Sequence, residues 1–286
     1  MRTAFIVLTY NRSDALLAVL RALAPQCGSE HEVIVADDGS RAEHVQALRA
    51  GLPRFACPVR HAWHPDVGFT ASRARNLGAR LAQADYLVFM DGDCVPSSRF
   101  VRMHGKLRQR GCFVNGSRVL LSEAFTRRVL AGDVDLAALG TAGWLQARLR
   151  GDVNKLSHLL GWPGAPGRIE KRFRWKGIRS CNFGVWKEDF AKVNGFDETF
   201  MGWGHEDADL GLRLHNAGLA RKNGWLATEV LHLWHRENSR ADEGANRGRV
   251  LMRMQGGIVR AEAGLAEAGL AEALHADKPV VTELNR

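Results

Sequence analysis

Four apolar runs of strand length, spaced by stretches of helical period, dominate the first third of this chain. They are "TAFIVLTY" at 3–10, "EVIVADDGS" at 32–40, a run within "CPVRHAWH" at 57–64, and "YLVFM" at 86–90. Between the first two, "NRSDALLAVLRALAPQ" places Leu16, Leu20 and Leu23, with Leu17 and Ala24, on one helical face; Ser13 is positioned to cap it and Pro25 to stop it. "AEHVQALRAG" is a short helix closed by Gly51, and "TASRARNLGARLAQA" repeats the pattern through Ala74, Leu77 and Leu81. Continuous apolar strands alternating with helices predict an α/β, Rossmann-like fold: a mixed, mainly parallel sheet with helices on both faces. Ligands of such sheets bind at the carboxyl ends of the strands. Three strands end there in polar clusters: Thr9-Tyr10-Asn11, Asp37-Asp38 and Asp91-Gly92-Asp93.

The second half is less regular. The pattern weakens over about 122–176, where "GRIEKRFRWKGIRS" mixes Lys and Arg with Phe173 and Trp175. "SCNFGVW" reads as a strand, "KEDFAKVNGF" as a short helix, "HEDADLGLRLHNAG" as a helix ended by Gly218, and "WLATEVLHLWH" as a strand. From Ser239 onward a helical tail is expected, containing the near-repeat "AEAGLAEAGLAEAL".

Two carboxylates one residue apart, Asp91 and Asp93, repel unless a cation sits between them. A hard divalent ion, Mn²⁺ or Mg²⁺, shared with substrate phosphates is one solution; a solvated turn is the other. The turn "LTYNRSD" contains no glycine, so a dinucleotide-binding fingerprint is missing, and no phosphate-binding P-loop occurs. What remains is a nucleotide whose phosphates are neutralised by a metal together with Arg75 and Arg73. In "GWGHEDAD", Glu206 and Asp207 open a helix, whose N-terminus favours ionised carboxylates.

The chain has 286 residues and a formal charge of +9, which asks for an anionic partner. Helix-turn-helix, zinc-finger and RNA-binding patterns are missing, so nucleic acid is not expected to be that partner. Five scattered cysteines without a CxxC pair point to a reducing compartment. "MRTAFIVLTYNRS" turns polar too soon for a signal peptide, and no apolar run approaches the ~20 residues of a membrane span. A cytoplasmic protein is expected, with the basic stretch Arg168–Arg179 able to lie peripherally against an anionic inner membrane face.

"IVLTYNR", "VIVADDGS", "GFTASRARNLGA" and "VFMDGD", in this order, resemble the GT-A glycosyltransferases, family 2 in particular. "NGFDETFMGWGHEDADLGLRL" resembles the C-terminal segment shared with β-1,4-galactosyltransferases, chondroitin-type polymerases and polypeptide GalNAc-transferases. The resemblance covers roughly 4–95 and 178–237. It implies one catalytic domain over 1–237, with a nucleotide-binding half at 1–96 and an acceptor-binding half at 97–237, followed by the tail at 238–286.

By the same resemblance, Thr9, Tyr10, Asn11 and Arg12, with Asp37 and Asp38, hold the base of a sugar nucleotide, a UDP-sugar in the first instance. Arg75 reaches the base or diphosphate, and Asn182 lies in the donor-sugar pocket. Asp91 contacts ribose and metal, Asp93 ligates the metal, and His235 completes the set with His232 in support. Asp207 is the general base of an inverting transfer, since retaining relatives carry Asn there. Glu206 bonds sugar hydroxyls, and Trp203 offers its ring to the acceptor, a glycan or lipid-linked hydroxyl of the kind used in cell-surface polysaccharide synthesis. Two alternatives stay open: a nucleotidyltransferase that makes the sugar nucleotide, and a non-catalytic nucleotide- or carbohydrate-binding module.

Overall fold

The computed structural model describes residues 1–236, 243–266 and 279–285. The first apolar run forms β1 (Thr3–Thr9), flanked by β2 (His31–Asp37) and β4 (Tyr86–Asp91), both parallel to it; β3 (Val59–Trp63) runs parallel to β2. The intervening helices are α1 (Ser13–Leu23), α2 (Ala42–Gly51) and α3 (Ala71–Leu81). Alternation along β1 assigns each face its own core. Phe5 and Val7 meet Leu16, Val19 and Leu20 of α1, whereas Ala4 and Ile6 meet Ala74 and Leu77 of α3.

After β4 the chain forms β5 (Cys94–Pro96), α4 (Phe100–Leu107), β6 (Cys112–Asn115), β7 (Arg118–Leu120), α5 (Glu123–Ala131) and α6 (Thr141–Leu149). There follow β8 (Ile169–Glu170), β9 (Asn182–Trp186), α7 (Lys187–Lys192), α8 (Glu206–Asn216), β10 (Ala220–Asn223), β11 (Val230–His232), α9 (Glu243–Gly256) and β12 (Val280–Glu283). The main sheet has nine strands in the order β12-β3-β2-β1-β4-β9-β6-β10-β8; β9 is antiparallel to β4 and β6, and β12 to β3. A second sheet, β5-β11-β7, has three strands. The expected mixed, mainly parallel sheet between helical layers is present.

Several local expectations are corrected. Ser13 does not cap α1: it is the first helical residue, and its hydroxyl lies 3.0 Å from His44 Nδ1. "WLATEVLHLWH" gives only the three-residue β11, because Leu226 takes a left-handed φ of 60° and the Ala227 and Thr228 amides turn back onto the Gly224 carbonyl. The tail is not helical throughout. Residues 280–283 form a strand, and of the near-repeat the described part, 261–266, is bends and a turn; the remainder lies outside the described residues.

The tail is also tied to the body by buried charge. Asp209 of α8 is fully buried between two guanidinium groups, Arg213 Nε at 2.8 Å and Arg253 Nη1 of α9 at 2.7 Å. Arg253 also reaches Asp197 at 2.8 Å, while Arg213 donates to the Val193 and Gly195 carbonyls. Removing one partner from such a cluster strands the others without water. Asp209→Ala is expected to lower unfolding stability by about 3–5 kcal/mol in denaturant titration, and a loss under ~1 kcal/mol would show that the cluster contributes little net stability.

Candidate active site

The site begins where β1, β2 and β4 end together. Register sets Thr9 opposite Asp37 and Leu8 opposite Asp91, so the three polar clusters share one sheet edge. Gly92 is required at this edge. Its amide donates to the Leu8 carbonyl at 2.6 Å, and a Cβ there would lie 2.8 Å from the same oxygen.

Asp93 sits just past β4, and the small sheet delivers two imidazoles to it. Strand β11 lies antiparallel to β5 with His232 opposite Cys94, and the Leu233 amide donates to the Asp93 carbonyl at 2.9 Å. His235 Nε2 lies 3.3 Å and His232 Nε2 3.7 Å from the Asp93 carboxylate oxygens. The Nδ1–H of His235 donates to the Arg236 carbonyl at 2.9 Å, which turns Nε2 toward Asp93. Burial depresses His232, outweighing the pull of Asp93.

A carboxylate with two imidazoles is an O/N donor set that suits Mn²⁺ and tolerates Mg²⁺. The neighbouring Cys94 sulfur joins Asp93 and His232 in a cluster whose ligand atoms lie within 4.8 Å of one another. Burial, and then Cys181 beside it, holds the Cys94 thiol far up, so it remains protonated and is a poor ligand.

Asp91 faces a different cation. Arg75 of α3, 3% exposed, lies 2.9 Å from Asp91 Oδ1 and 3.3 Å from Glu206 Oε1 and stacks over the Phe196 ring at 5.3 Å. Burial works against the charged guanidinium, but Asp91 and Glu206 outweigh it and the net shift is upward. Arg75 is thus paired with the protein's own carboxylates. The two carboxylates of "DGD" meet different side chains: Asp91 meets Arg75, Asp93 the histidines.

Glu206 and Asp207 open α8 behind a tight left-handed run, Gly202 at φ 74°, Gly204 at 104° and His205 at 71°. Asp207 keeps partial solvent exposure, yet its carboxyl is walled in, and its pKa is raised to about 7, first by burial and then by the charge of Glu206. The amides of Ala208, which donates at 2.7 Å, and Ser180 pull the other way and lose. The helix N-terminus thus does not keep this group fully ionised, contrary to the sequence reading; desolvation wins. Trp203 stands in the same loop, 36% exposed.

The remaining expected residues divide clearly. Tyr10 is exposed and donates to Asp66 at 2.8 Å, and Arg12 pairs with Asp14 at 3.1 Å on the outside. Asn11, at φ 49°, accepts from the Arg41 amide and donates from its own amide to Ser40 Oγ, shaping the loop. Thr9 is buried beneath it.

Asp37 and Asp38 do not reach into the cleft. Asp37 accepts from the Ser40 amide and meets His61 Nε2 at 2.9 Å, while Asp38 accepts from the amide and hydroxyl of Thr70 and lies 3.2 Å from His64. Both are buried. Asn182 is fully buried as well: its carboxamide oxygen lies 3.0 Å from His104 Nε2, and its NH₂ donates to the Ser117 and Thr228 carbonyls. It fastens β9 to α4 and to the segments that lead into β7 and β11. His61, His64 and His104 lie outside the motifs read from the sequence; only their burial as polar side chains reveals them.

Comparison with known proteins agrees with this layout. The family description "Glycosyl transferase family 2" matches residues 4–134, and "N-terminal domain of galactosyltransferase" matches 167–235. Among characterised relatives, validoxylamine A glucosyltransferase of Streptomyces hygroscopicus subsp. jinggangensis is 28% identical over 226 residues, 75% of this chain and 51% of that protein. Chondroitin synthase of Escherichia coli is 25% identical over 245 residues, 75% of this chain and 32% of that protein. The chain thus spans about half or less of the length of these relatives.

Among solved structures, the mannosyltransferase PcManGT of Pyrobaculum calidifontis, in complex with GDP-Man and Mn²⁺, superposes with a TM-score of 0.55 at 15% identity, covering 96% of this chain and 74% of that one. S. aureus TarS 1-349 in complex with UDP-GlcNAc gives 0.55 at 14% identity, covering 94% and 69%. The match through 134 takes in β5, α4, β6, β7 and α5, elements the sequence resemblance had left out. On a GT-A fold, residues 4–134 are thus similar to glycosyltransferase family 2, and residues 167–235, which carry Asp207 and the histidine pair, to a galactosyltransferase-type segment.

Proposed function

We propose that this chain transfers a sugar, with inversion, from a nucleotide-sugar, UDP-linked in the first instance, to a hydroxyl of a glycan or lipid-linked acceptor, with Mn²⁺ or Mg²⁺ as cofactor. Residues 1–96 would carry the donor and 97–237 the acceptor. One observation carries this reading: Arg75 bridges the Asp91 carboxylate at the sheet edge to the Glu206–Asp207 pair, and Asp207 has a pKa of about 7. A carboxyl poised there is matched to taking up a proton near neutral pH. The names of neighbours support the donor and metal: PcManGT is complexed with GDP-Man and Mn²⁺, TarS with UDP-GlcNAc, and GalNAc-T7 with UDP, GalNAc and Mn²⁺.

The roles follow from placement. Tyr10 and Arg12 line the exposed lip where a base would rest, with Asn11 and the buried Asp37 and Asp38 fixing the shape of that lip. Asp93 and His235, with His232 beside them and Asp91 at the strand end, would hold the divalent ion. Bound there, it would supply Lewis-acid stabilisation to the departing diphosphate. The acceptor oxygen attacks the anomeric carbon from the face opposite the diphosphate. Its proton passes to Asp207, the new C–O bond forms, and the bond to the β-phosphate oxygen breaks with its electron pair leaving on the nucleotide. Glu206, held by Arg75, orients a sugar hydroxyl, and the Trp203 ring offers an apolar face to the acceptor.

Four outcomes test this reading. Asp207→Asn should lower kcat by about 10²-fold or more while nucleotide affinity is retained; near-normal turnover would remove Asp207 as base. Turnover should rise as pH increases through about 7, because below that value Asp207 already holds a proton. Glu206→Gln, which removes the neighbouring charge, should shift that limb of the kcat profile to lower pH, and an unmoved limb would assign it to another group. Finally, EDTA or Asp93→Ala should abolish Mn²⁺-dependent strengthening of UDP binding in calorimetric titration; unchanged affinity would show that the ion is held elsewhere.

A further inference from the structure

The excess positive charge of this chain is not spread evenly. Segment 168–179, "RIEKRFRWKGIR", holds six cationic residues against Glu170 alone. Arg168 is internal, donating to the carbonyls of Pro163, Trp162, Asn223 and Trp225. Lys171, Arg172, Arg174 and Lys176 are exposed, and among the described residues none of the four lies within ion-pair distance of a carboxylate. Their backbone is nevertheless fixed. Arg221 donates to the carbonyls of Arg174, Lys176 and Gly177, and Asn115 binds the Gly177 carbonyl and the Arg179 amide. The uncompensated field is felt by Arg221, which is depressed by burial and then, despite Glu170, by Arg179 and Arg174.

This strip ends against the catalytic side of the cleft. Trp175 stacks on His205, the residue that precedes Glu206, at 5.5 Å and 21° between planes. The Ser180 amide bonds the Asp207 carboxylate. At the other end Arg168 ties the strip to Trp162 and Trp225, whose rings are 52% and 44% exposed. Fixed cations flanked by the exposed aromatic side chains of Trp162 and Trp225 are what a chain of anionic sugars binds: rings stack and charges pair. A bilayer surface suits the strip less well, because the aromatics among the four cations are turned inward, Trp175 onto His205 and Phe173 onto His215 at 5.6 Å.

We infer that the acceptor is a polyanionic saccharide, bearing carboxylate or phosphate groups, that lies along Lys171, Arg172, Arg174 and Lys176 with its receiving hydroxyl at Asp207. This rests on the reading of Asp207 as the base. Without the strip's charge an acceptor would still fit the cleft but would lose its guidance toward it.

The test uses two hexasaccharide probes of equal length, oligogalacturonate with one carboxylate per ring and neutral maltohexaose, titrated into the UDP- and Mn²⁺-loaded full chain. At low ionic strength the anionic probe should bind about tenfold or more tightly, and the gap should close as salt is raised. The variant carrying Lys171→Gln, Arg172→Gln, Arg174→Gln and Lys176→Gln should lose that preference while keeping its melting temperature and UDP affinity. A control with the same charge change elsewhere, Arg49→Gln, Arg102→Gln, Lys106→Gln and Arg127→Gln, should retain it.

Equal binding of the two probes, or equal loss in the control, overturns the inference. So does a strip variant that loses only its sedimentation with vesicles of phosphatidylglycerol and phosphatidylcholine, which would assign the strip to lipid. Failure of the glycosyl-transfer reading is seen separately, as absence of Mn²⁺-dependent UDP release from UDP-sugars.

Discussion

One guanidinium organises this molecule's chemistry. Arg75, buried on α3, reaches Asp91 at the end of the fourth strand and Glu206 at the start of α8. A cation in so dry a place is tolerable only because two carboxylates meet it, and those carboxylates come from the two halves of the fold. The strand-end cluster and the opening of α8 are thereby held to one geometry, as a site whose groups must act together requires. Glu206, tied to Arg75, in turn keeps a negative charge beside Asp207 and helps hold that proton acceptor near neutrality.

The two sheets divide the labour. The nine-stranded sheet sets the edge on which Asp91 and Asp93 stand, while the three-stranded sheet brings His232 and His235 across to Asp93 from far along the chain. Short β5 is the hinge of this arrangement. It follows Asp93 directly and pairs with β11, so Asp93 and His232 are brought together by backbone hydrogen bonds, and His235 follows from the segment just beyond β11.

Much of this was legible in the sequence because periodicity and sign of charge are local properties. The β-α alternation, the common edge of three polar clusters, the H-x-x-H pair and the acidic opening of α8 all follow from residues close together in the chain. What was not legible depends on partners distant in sequence. Arg75 reads as a cation free to meet phosphate until Glu206 is seen beside it. Asp37 and Asp38 read as ligands for a base until His61, His64 and Thr70 are found to occupy them. Asn182 in "SCNFGVW" sits on a strand, but alternation cannot say whether an amide on that strand faces a ligand or His104. Burial itself, the largest influence on Asp207, is invisible from the helix N-terminus that argues for the opposite shift.

Strand β12 pairs with β3 through Val280–Glu283, covering that strand's outer edge with residues that leave the ribosome long after their partner. Until they arrive, β3 offers an open row of amides and carbonyls, an invitation to pair with another copy. Synthesis therefore passes through an interval in which strands β1 to β4 are made yet unsealed, and yield in a foreign host should track how well chaperones cover that interval.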